Sequence, residues 1–294
     1  MKVGFIGLGL MGTSMTANLL AAGHTVLGFD VEEARRTEHV DRGGEVADSV
    51  AEVAAQCSVM MLSLPNSDIG MEVCLGEGSI ATAARRGSLV IDTTTTRPRD
   101  TLAMAEGLAA VGVRMIDATV SGNAAQAARG DLVAMVGGAE ADLEEARPVL
   151  EAISRSIRHL GPIGSGATAK LIINLALGIH RLALAEALVM GERAGIDLEV
   201  LLDVLRDGAA YSRAMDLWGE RMVSGEYLPP ASRVRQSHKD FRLIVEQGHA
   251  LGSPTFLASV VRQLLQMGEG VGLGDLDNSS IIELLRRGAG IGRM

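Results

Sequence analysis

Lys170 and Asn174 stand four residues apart in "GSGATAKLIINLALGIH", residues 164–180, a stretch that otherwise reads as an apolar helix. Positions i and i+4 share one helical face, one turn apart, so an amine and an amide can address the same oxygen. A lysine in a dry setting serves as acid and base once desolvation pulls its pKa toward roughly 7–8. An asparagine beside it both donates and accepts. Such a pair could take the proton of a hydroxyl while its carbon is oxidised. The bland alternative has Lys170 snorkelling to solvent and Asn174 acting as a local cap or crosslink. What else the chain carries decides between them.

"KVGFIGLGLMG" sets Gly7, Gly9 and Gly12 in G-x-G-x-x-G spacing, after an apolar strand and ahead of a helical segment. In that pattern the first glycine permits a tight turn and the second lets a pyrophosphate approach the backbone. The third lets helix and strand pack closely, with the phosphates at the helix N-terminus. The next strand, "HTVLGF", runs into Asp30, 23 residues past Gly7, near the expected position for an acid that hydrogen-bonds a ribose 2′-hydroxyl. Together the two features point to a dinucleotide. Asp30 would repel a 2′-phosphate, and Val31, Glu32 and Glu33 supply no cation, so NAD is favoured over NADP. Arg35 and Arg36 either soften that preference or form a solvated face. A bound NAD⁺ also accounts for the lysine, because its positive nicotinamide lowers an amine pKa as desolvation does.

The elements that must position these residues follow from the pattern. "KVGFI", "HTVLGF", "SVMMLSL", "SLVID", "VRMID" and "LVAMVGG" read as strands, separated by helical segments that include 13–22, 48–56, 98–110 and 140–153. That alternation predicts an α/β fold, a doubly wound parallel sheet of the Rossmann type. From residue 166 onward the period is 3.6, so the remainder should be all helix. "GPIGSG" marks the seam and predicts two domains, 1–162 for the cofactor and 163–294 for the substrate cleft and oligomerisation, joined by a long helix from about 166 to about 194. A helix starting at such a boundary is a natural cleft wall.

Composition narrows the classes. With 27 Lys and Arg against 36 Asp and Glu the formal charge is −9, and no basic block interrupts it, which excludes nucleic acid as the expected partner. The two cysteines, Cys57 and Cys74, lack metal spacing, and none of the six histidines pairs convincingly with another, so no metal is expected. The glycine-punctuated N-terminus is unlike a signal peptide and "LIINLALGI" falls short of a membrane span, so the expected place is the cytoplasm and no membrane role is expected.

With those residues in view, the chain closely resembles the β-hydroxyacid dehydrogenase family, of which 3-hydroxyisobutyrate dehydrogenase is the best-known type. "GFIGLGLMGTSMTANLLAAGHTVLGFD" resembles the family's cofactor motif, "DATVSGNAAQAARGD" its substrate motif, "GSGATAKLIIN" its catalytic motif and "HKDF" a late Lys-Asp motif, in the family's order. The resemblance implies Lys170 as acid/base with Asn174 beside it. It implies a substrate carboxylate on the Ser121 hydroxyl and the Gly122 backbone, with Asn123 nearby. It places Gly7, Leu8, Gly9, Leu10, Met11 and Gly12 around the cofactor with Asp30, Leu64 and Pro65 on the adenosine and ribose side, Thr95 near the nicotinamide, and Lys239 on cofactor or substrate. It also implies a homodimer or homotetramer. Plain alternatives stay open: Leu64-Pro65 as a strand end, Thr95 as one of four interchangeable turn threonines, Lys239 as a surface cation.

Asn123 and Gln126 stand where the family commonly has other residues, which predicts an altered pocket. Arg233 and Arg235 add cations that would bind a second carboxylate or line a solvated loop. The expected activity is reversible, NAD-dependent oxidation of a small β-hydroxy acid to the aldehyde or keto acid. Reduction of a semialdehyde, tartronate semialdehyde included, or of an imine is the alternative; a non-catalytic NAD-binding sensor is another.

Overall fold

Alternate residues of the central strands enter two different cores. Val59 and Met61 of one strand join Val3, Phe5, Ile91 and Ile116 on one side, while Met60 and Leu62 join Ile6, Val90 and Met115 on the other. A strand apolar on both faces belongs in a sheet covered twice. The computed structural model describes residues 1–291, which divide into two compact units, Met1–Lys170 and the chain from Leu171.

In chain order the first unit begins with β1 (Lys2–Ile6), α1 (Leu10–Ala21), β2 (Thr25–Phe29), α2 (Glu33–Asp41), β3 (Glu45–Val46), α3 (Val50–Gln56) and β4 (Val59–Leu62). It continues with α4 (Ser67–Leu75), α5 (Ile80–Ala83), β5 (Leu89–Asp92), α6 (Pro98–Ala110), β6 (Arg114–Ser121), α7 (Ala124–Ala128), β7 (Leu132–Gly137), α8 (Glu140–Ile153) and β8 (Ser154–Gly161). The eight strands form one sheet in the order β3-β2-β1-β4-β5-β6-β7-β8. Every pair is parallel except β6 with β7. That exception has a simple cause: residues 122–131 are too few for a right-handed crossover, so the chain doubles back. The strand order reverses at β1, between β2 and β4. In open sheets of this kind ligands gather outside the strand C-termini at such a point.

A single helix, α9 (Ser165–Arg193), runs out of the first unit and supplies the start of the second. At 29 residues it is long and apolar enough, by length and composition alone, to cross a membrane, as the core helix of a globular protein also can be. Its Leu184, Ala185, Leu188 and Val189 lie in the second unit's core. The second unit adds α10 (Leu198–Asp207), a π-helical turn at Met215–Gly219, α11 (Glu220–Ser224), α12 (Val234–Ala250), α13 (Phe256–Gly270), a 3₁₀ turn at Asn278–Ser280 and α14 (Ile281–Gly288). Past β8, among the described residues, no strand occurs, only an isolated bridge between Arg233 and Asp277. Helix α12 lies against α9 where Gly178 leaves room for the Phe241 ring, since a Cβ there would stand 2.4 Å from it. One turn further on α9, buried Arg181 stacks over Trp218 at 4.9 Å and reaches the Ser237 hydroxyl.

Candidate active site

The three glycines of the turn after β1 differ in what surrounds them. Gly7 has φ +99°, and a Cβ there would lie 2.2 Å from the Ser63 carbonyl oxygen at the end of β4. At Gly12 the Cβ would lie 2.0 Å from the Gly7 carbonyl oxygen. Gly9 has nothing within 4 Å of that position. Its open side lies at the start of α1, where no side chain caps the helix and no acid occupies the first turn. Free amides and the positive helix end favour an anion there. Leu8 is buried in the core and Met11 half-buried, whereas Leu10 is exposed.

Asp30, at the end of β2, is aimed by backbone. One carboxylate oxygen accepts from the Leu8 amide at 2.7 Å, the other from the Glu32 amide at 2.9 Å. Arg36 donates to the Asp30 and Val31 carbonyls, and Arg35 pairs with Glu32 and Glu38 on the surface. Both cations are therefore already engaged.

Beyond β4 the Leu64 amide donates to the Thr94 hydroxyl at 3.0 Å, which ties this loop to the turn after β5. Pro65 beside it is exposed. The four threonines of that turn are not interchangeable. Thr93 donates to the Leu62 carbonyl, Thr94 accepts from Leu64, and Thr96 shares a hydrogen bond with Thr101. Of these four threonines, Thr95 is the one whose hydroxyl makes no hydrogen bond among the described residues, and it is half-exposed.

Ser121 ends β6 with its hydroxyl likewise unspent among the described residues. Gly122 follows at φ +147°, where its missing Cβ would meet Leu132 at 2.5 Å. Asn123 then caps α7: its side chain accepts from the Gln126 amide at 3.0 Å, and the Gln126 side chain accepts from the Asn123 amide at 3.1 Å. Lys170, half-buried, donates from Nζ to the Val120 carbonyl at 2.8 Å. A cation thus stands at the residue next to Ser121.

In the second unit Asn174 donates to Asp240 Oδ2 at 3.1 Å, and Lys239 Nζ lies 3.4 Å from Asp240 Oδ1. Arg233 is exposed, and Arg235 pairs with Asp275 at 2.6 Å on the surface. His180 is exposed.

Two family models cover almost the whole chain. Residues 2–161 match the NAD binding domain of 6-phosphogluconate dehydrogenase, and residues 164–285 match the NAD-binding domain of NADP-dependent 3-hydroxyisobutyrate dehydrogenase. The 2-(hydroxymethyl)glutarate dehydrogenase of Eubacterium barkeri is 34% identical over 99% of this chain and 96% of its own length. The chain belongs to the β-hydroxyacid dehydrogenase family. As a member it is an NAD-binding oxidoreductase acting on CH–OH groups. Glyoxylate/succinic semialdehyde reductase 1 of Arabidopsis thaliana is 31% identical over 97% of this chain and 99% of its own. The 3-hydroxyisobutyrate dehydrogenase of Mycobacterium tuberculosis, solved with L-serine, superposes with a TM-score of 0.89 at 31% identity, covering 97% of this chain and 99% of that one.

In this β-hydroxyacid dehydrogenase chain the first unit gathers the glycine turn, Asp30, Leu64 and Thr95 outside the C-termini of β1, β2, β4 and β5, and Ser121, Gly122 and Lys170 at the end of β6. Sequence reasoning passed over Asp240, although "HKDF" displayed it. It also missed Asp92 and Asp117, register partners on β5 and β6 that are almost wholly buried.

Proposed function

We propose that this protein reversibly oxidises a small β-hydroxy acid with NAD⁺, and that Lys170 is its acid/base. The observation that carries the reading is the seat of Lys170 Nζ on the Val120 carbonyl, next to a serine hydroxyl and a glycine amide able to hold a carboxylate. An α-carboxylate on Ser121 and Gly122 leaves the β-hydroxyl to reach the lysine. NAD⁺, when bound, accepts hydride from the carbinol carbon. Neutral Lys170 takes the hydroxyl proton as that C–H bond breaks and the C=O bond forms; in the reverse direction the ammonium returns it. A bare helix start at Gly9 and a carboxylate oriented at Asp30 suit a pyrophosphate and a ribose diol. The Thr95 hydroxyl is the available donor on the nicotinamide side. Asn123 retains its amide nitrogen for a substrate oxygen. Asn174 is assigned an orienting role and Lys239 a cofactor- or substrate-binding role on the family resemblance.

The acids named for the relatives, a hydroxymethylated dicarboxylate among them, set the class of substrate to try. Imine reduction is disfavoured because the proton donor proposed here is a lysine suited to an alcohol oxygen. The cytoplasm is the proposed location, in keeping with two free, buried cysteines. A homodimer or homotetramer is proposed because the second unit leaves large apolar side chains outward, Met190, Phe256, Leu257 and Val260 among them; light scattering should give a mass of two or four chains.

The deciding experiment is NADH formation over a panel of β-hydroxy acids with wild type and Lys170→Ala. A substrate in the panel should turn over, and Lys170→Ala should bind NADH normally yet lose kcat by about 10²–10⁴-fold. Turnover that survives the substitution would remove Lys170 from the mechanism.

A further inference from the structure

Strand β6 does more than end in the substrate turn. Its Asp117, wholly buried, directs both carboxylate oxygens at the start of α9: Oδ1 accepts from the Gly164 amide at 2.8 Å and Oδ2 from the Ala167 amide at 2.6 Å. Two residues on, the buried Thr119 hydroxyl donates to the Gly166 carbonyl at 2.7 Å, and Val120 receives Lys170 itself. The helix backbone sits directly on the sheet here, since a Cβ at Gly166 would stand 2.4 Å from the Met135 carbonyl oxygen and 2.7 Å from that of Asp117.

We propose that Asp117 is the positioning residue for Lys170, its carboxylate gathering the first amides of α9 so that the lysine one turn later is delivered to the end of β6. An α-helix leaves its first four amides without internal partners. A residue 47 positions before Gly164 supplies the acceptors, rather than a local cap. Hydrogen bonds to an ionised acceptor are the strong kind, and at neutral and alkaline pH Asp117 is ionised. Burial raises its pKa to about 6, while the amides of Ala167, Gly164 and Gly166 pull the other way. Thr119 holds the same turn by a carbonyl, so the first turn of α9 is fixed through both its donors and an acceptor.

The inference rests on the reading of Lys170 as acid/base, and the test separates the two. In Asp117→Asn one acceptor oxygen becomes an NH₂ facing an amide N–H, so the clamp opens while the side-chain volume is kept. A displacement of about 1 Å at a reacting group costs up to about 100-fold in rate. Asp117→Asn should therefore lose about 10- to 100-fold in kcat, with NADH affinity unchanged by fluorescence titration. The limb of its pH profile that disappears in Lys170→Ala should be displaced. Wild-type kcat in folded Asp117→Asn overturns the proposal, as does a parallel fall of kcat and NADH affinity, which would signal general loosening. Should Asp117→Asn fail to fold, Thr119→Val decides: reduced kcat with normal NADH binding supports the clamp, and unchanged kcat overturns it. If Lys170→Ala itself stays active, the acid/base reading fails; if Lys170→Ala is dead and Asp117→Asn normal, the positioning claim alone fails.

Discussion

Replacing Gly9 with alanine separates what the glycine turn does for the fold from what it does for a ligand. Gly9 has φ −66° and ψ −169°, a conformation alanine adopts freely, and no atom lies within 4 Å of the new methyl. Reduced freedom of the unfolded chain should stabilise Gly9→Ala by about 0.4–1 kcal/mol. Loss of glycine as an N-cap should cost a similar amount, since alanine is among the poorest caps. The two nearly cancel, so the melting temperature should stay within about 3 °C of wild type. The ligand is affected differently. A methyl at the point of closest backbone approach pushes the pyrophosphate off the α1 amides, and one charge-assisted hydrogen bond lost is worth about 1.5–3 kcal/mol. NADH should therefore bind about 10- to 150-fold more weakly. Gly12→Ala is the contrast: its methyl would sit 2.0 Å from a backbone oxygen, so the fold itself must suffer, by about 1–3 kcal/mol or more. Differential scanning fluorimetry and NADH fluorescence titration on both variants give the answer. Unchanged NADH affinity in Gly9→Ala, or a melting loss as large as that of Gly12→Ala, would refute the assignment of Gly9 as the approach point.

Asp30→Asn should weaken NAD⁺ and narrow the NAD⁺/NADP⁺ ratio of kcat/KM by at least about 10-fold, because it removes the charge that opposes a 2′-phosphate while Arg36 stays nearby; an unchanged ratio counts against Asp30 as the selector. Asp92 makes a prediction about pH. Burial lifts its pKa from 3.8 to about 6, with Thr94 hydrogen bonds opposing and the Asp117 charge adding to the rise. The folded state holds that proton more tightly than the unfolded state does. Its contribution to stability is complete below about 4 and is lost as the pH rises through 6, by up to roughly 1.4 kcal/mol per pH unit. The melting-temperature difference between wild type and Asp92→Asn should therefore move in favour of wild type from pH 7 to pH 5, and a gap independent of pH would contradict the burial argument.

The apolar strands were legible because each is a short β-branched or Met-rich run bounded by turn residues, and α9 was legible almost to its ends because "GPIGSG" and "GID" bracket a long 3.6-period pattern. Strand β3 escaped because two residues, Glu45 and Val46, carry no period. Strand β8 escaped for another reason: "SRSIRHLG" is a largely exposed edge strand whose Arg155, Arg158 and His159 look like loop. The antiparallel pairing of β7 departs from the expected parallel sheet, and it and the capping box went unread although the short 122–131 segment and the Asn123–Gln126 spacing carry them. Among the candidate site residues, Lys170 and the glycines declare themselves by type and spacing, and Ser121 by the family resemblance. Asp117 does not, because its meaning lies in a contact with amides 47 and 50 residues away that no local pattern encodes.

The reciprocal bonds between Asn123 and Gln126 bear on how this enzyme can change what it accepts. The residue beside the turn proposed to hold the substrate carboxylate is also the cap of a helix only five residues long. Retargeting by substitution at Asn123 thus carries a stability cost of about 0.5–2 kcal/mol for alanine and only a few tenths for glycine. New specificities should be sought by changing 123 and 126 together, with selection acting on the pair rather than on either residue alone.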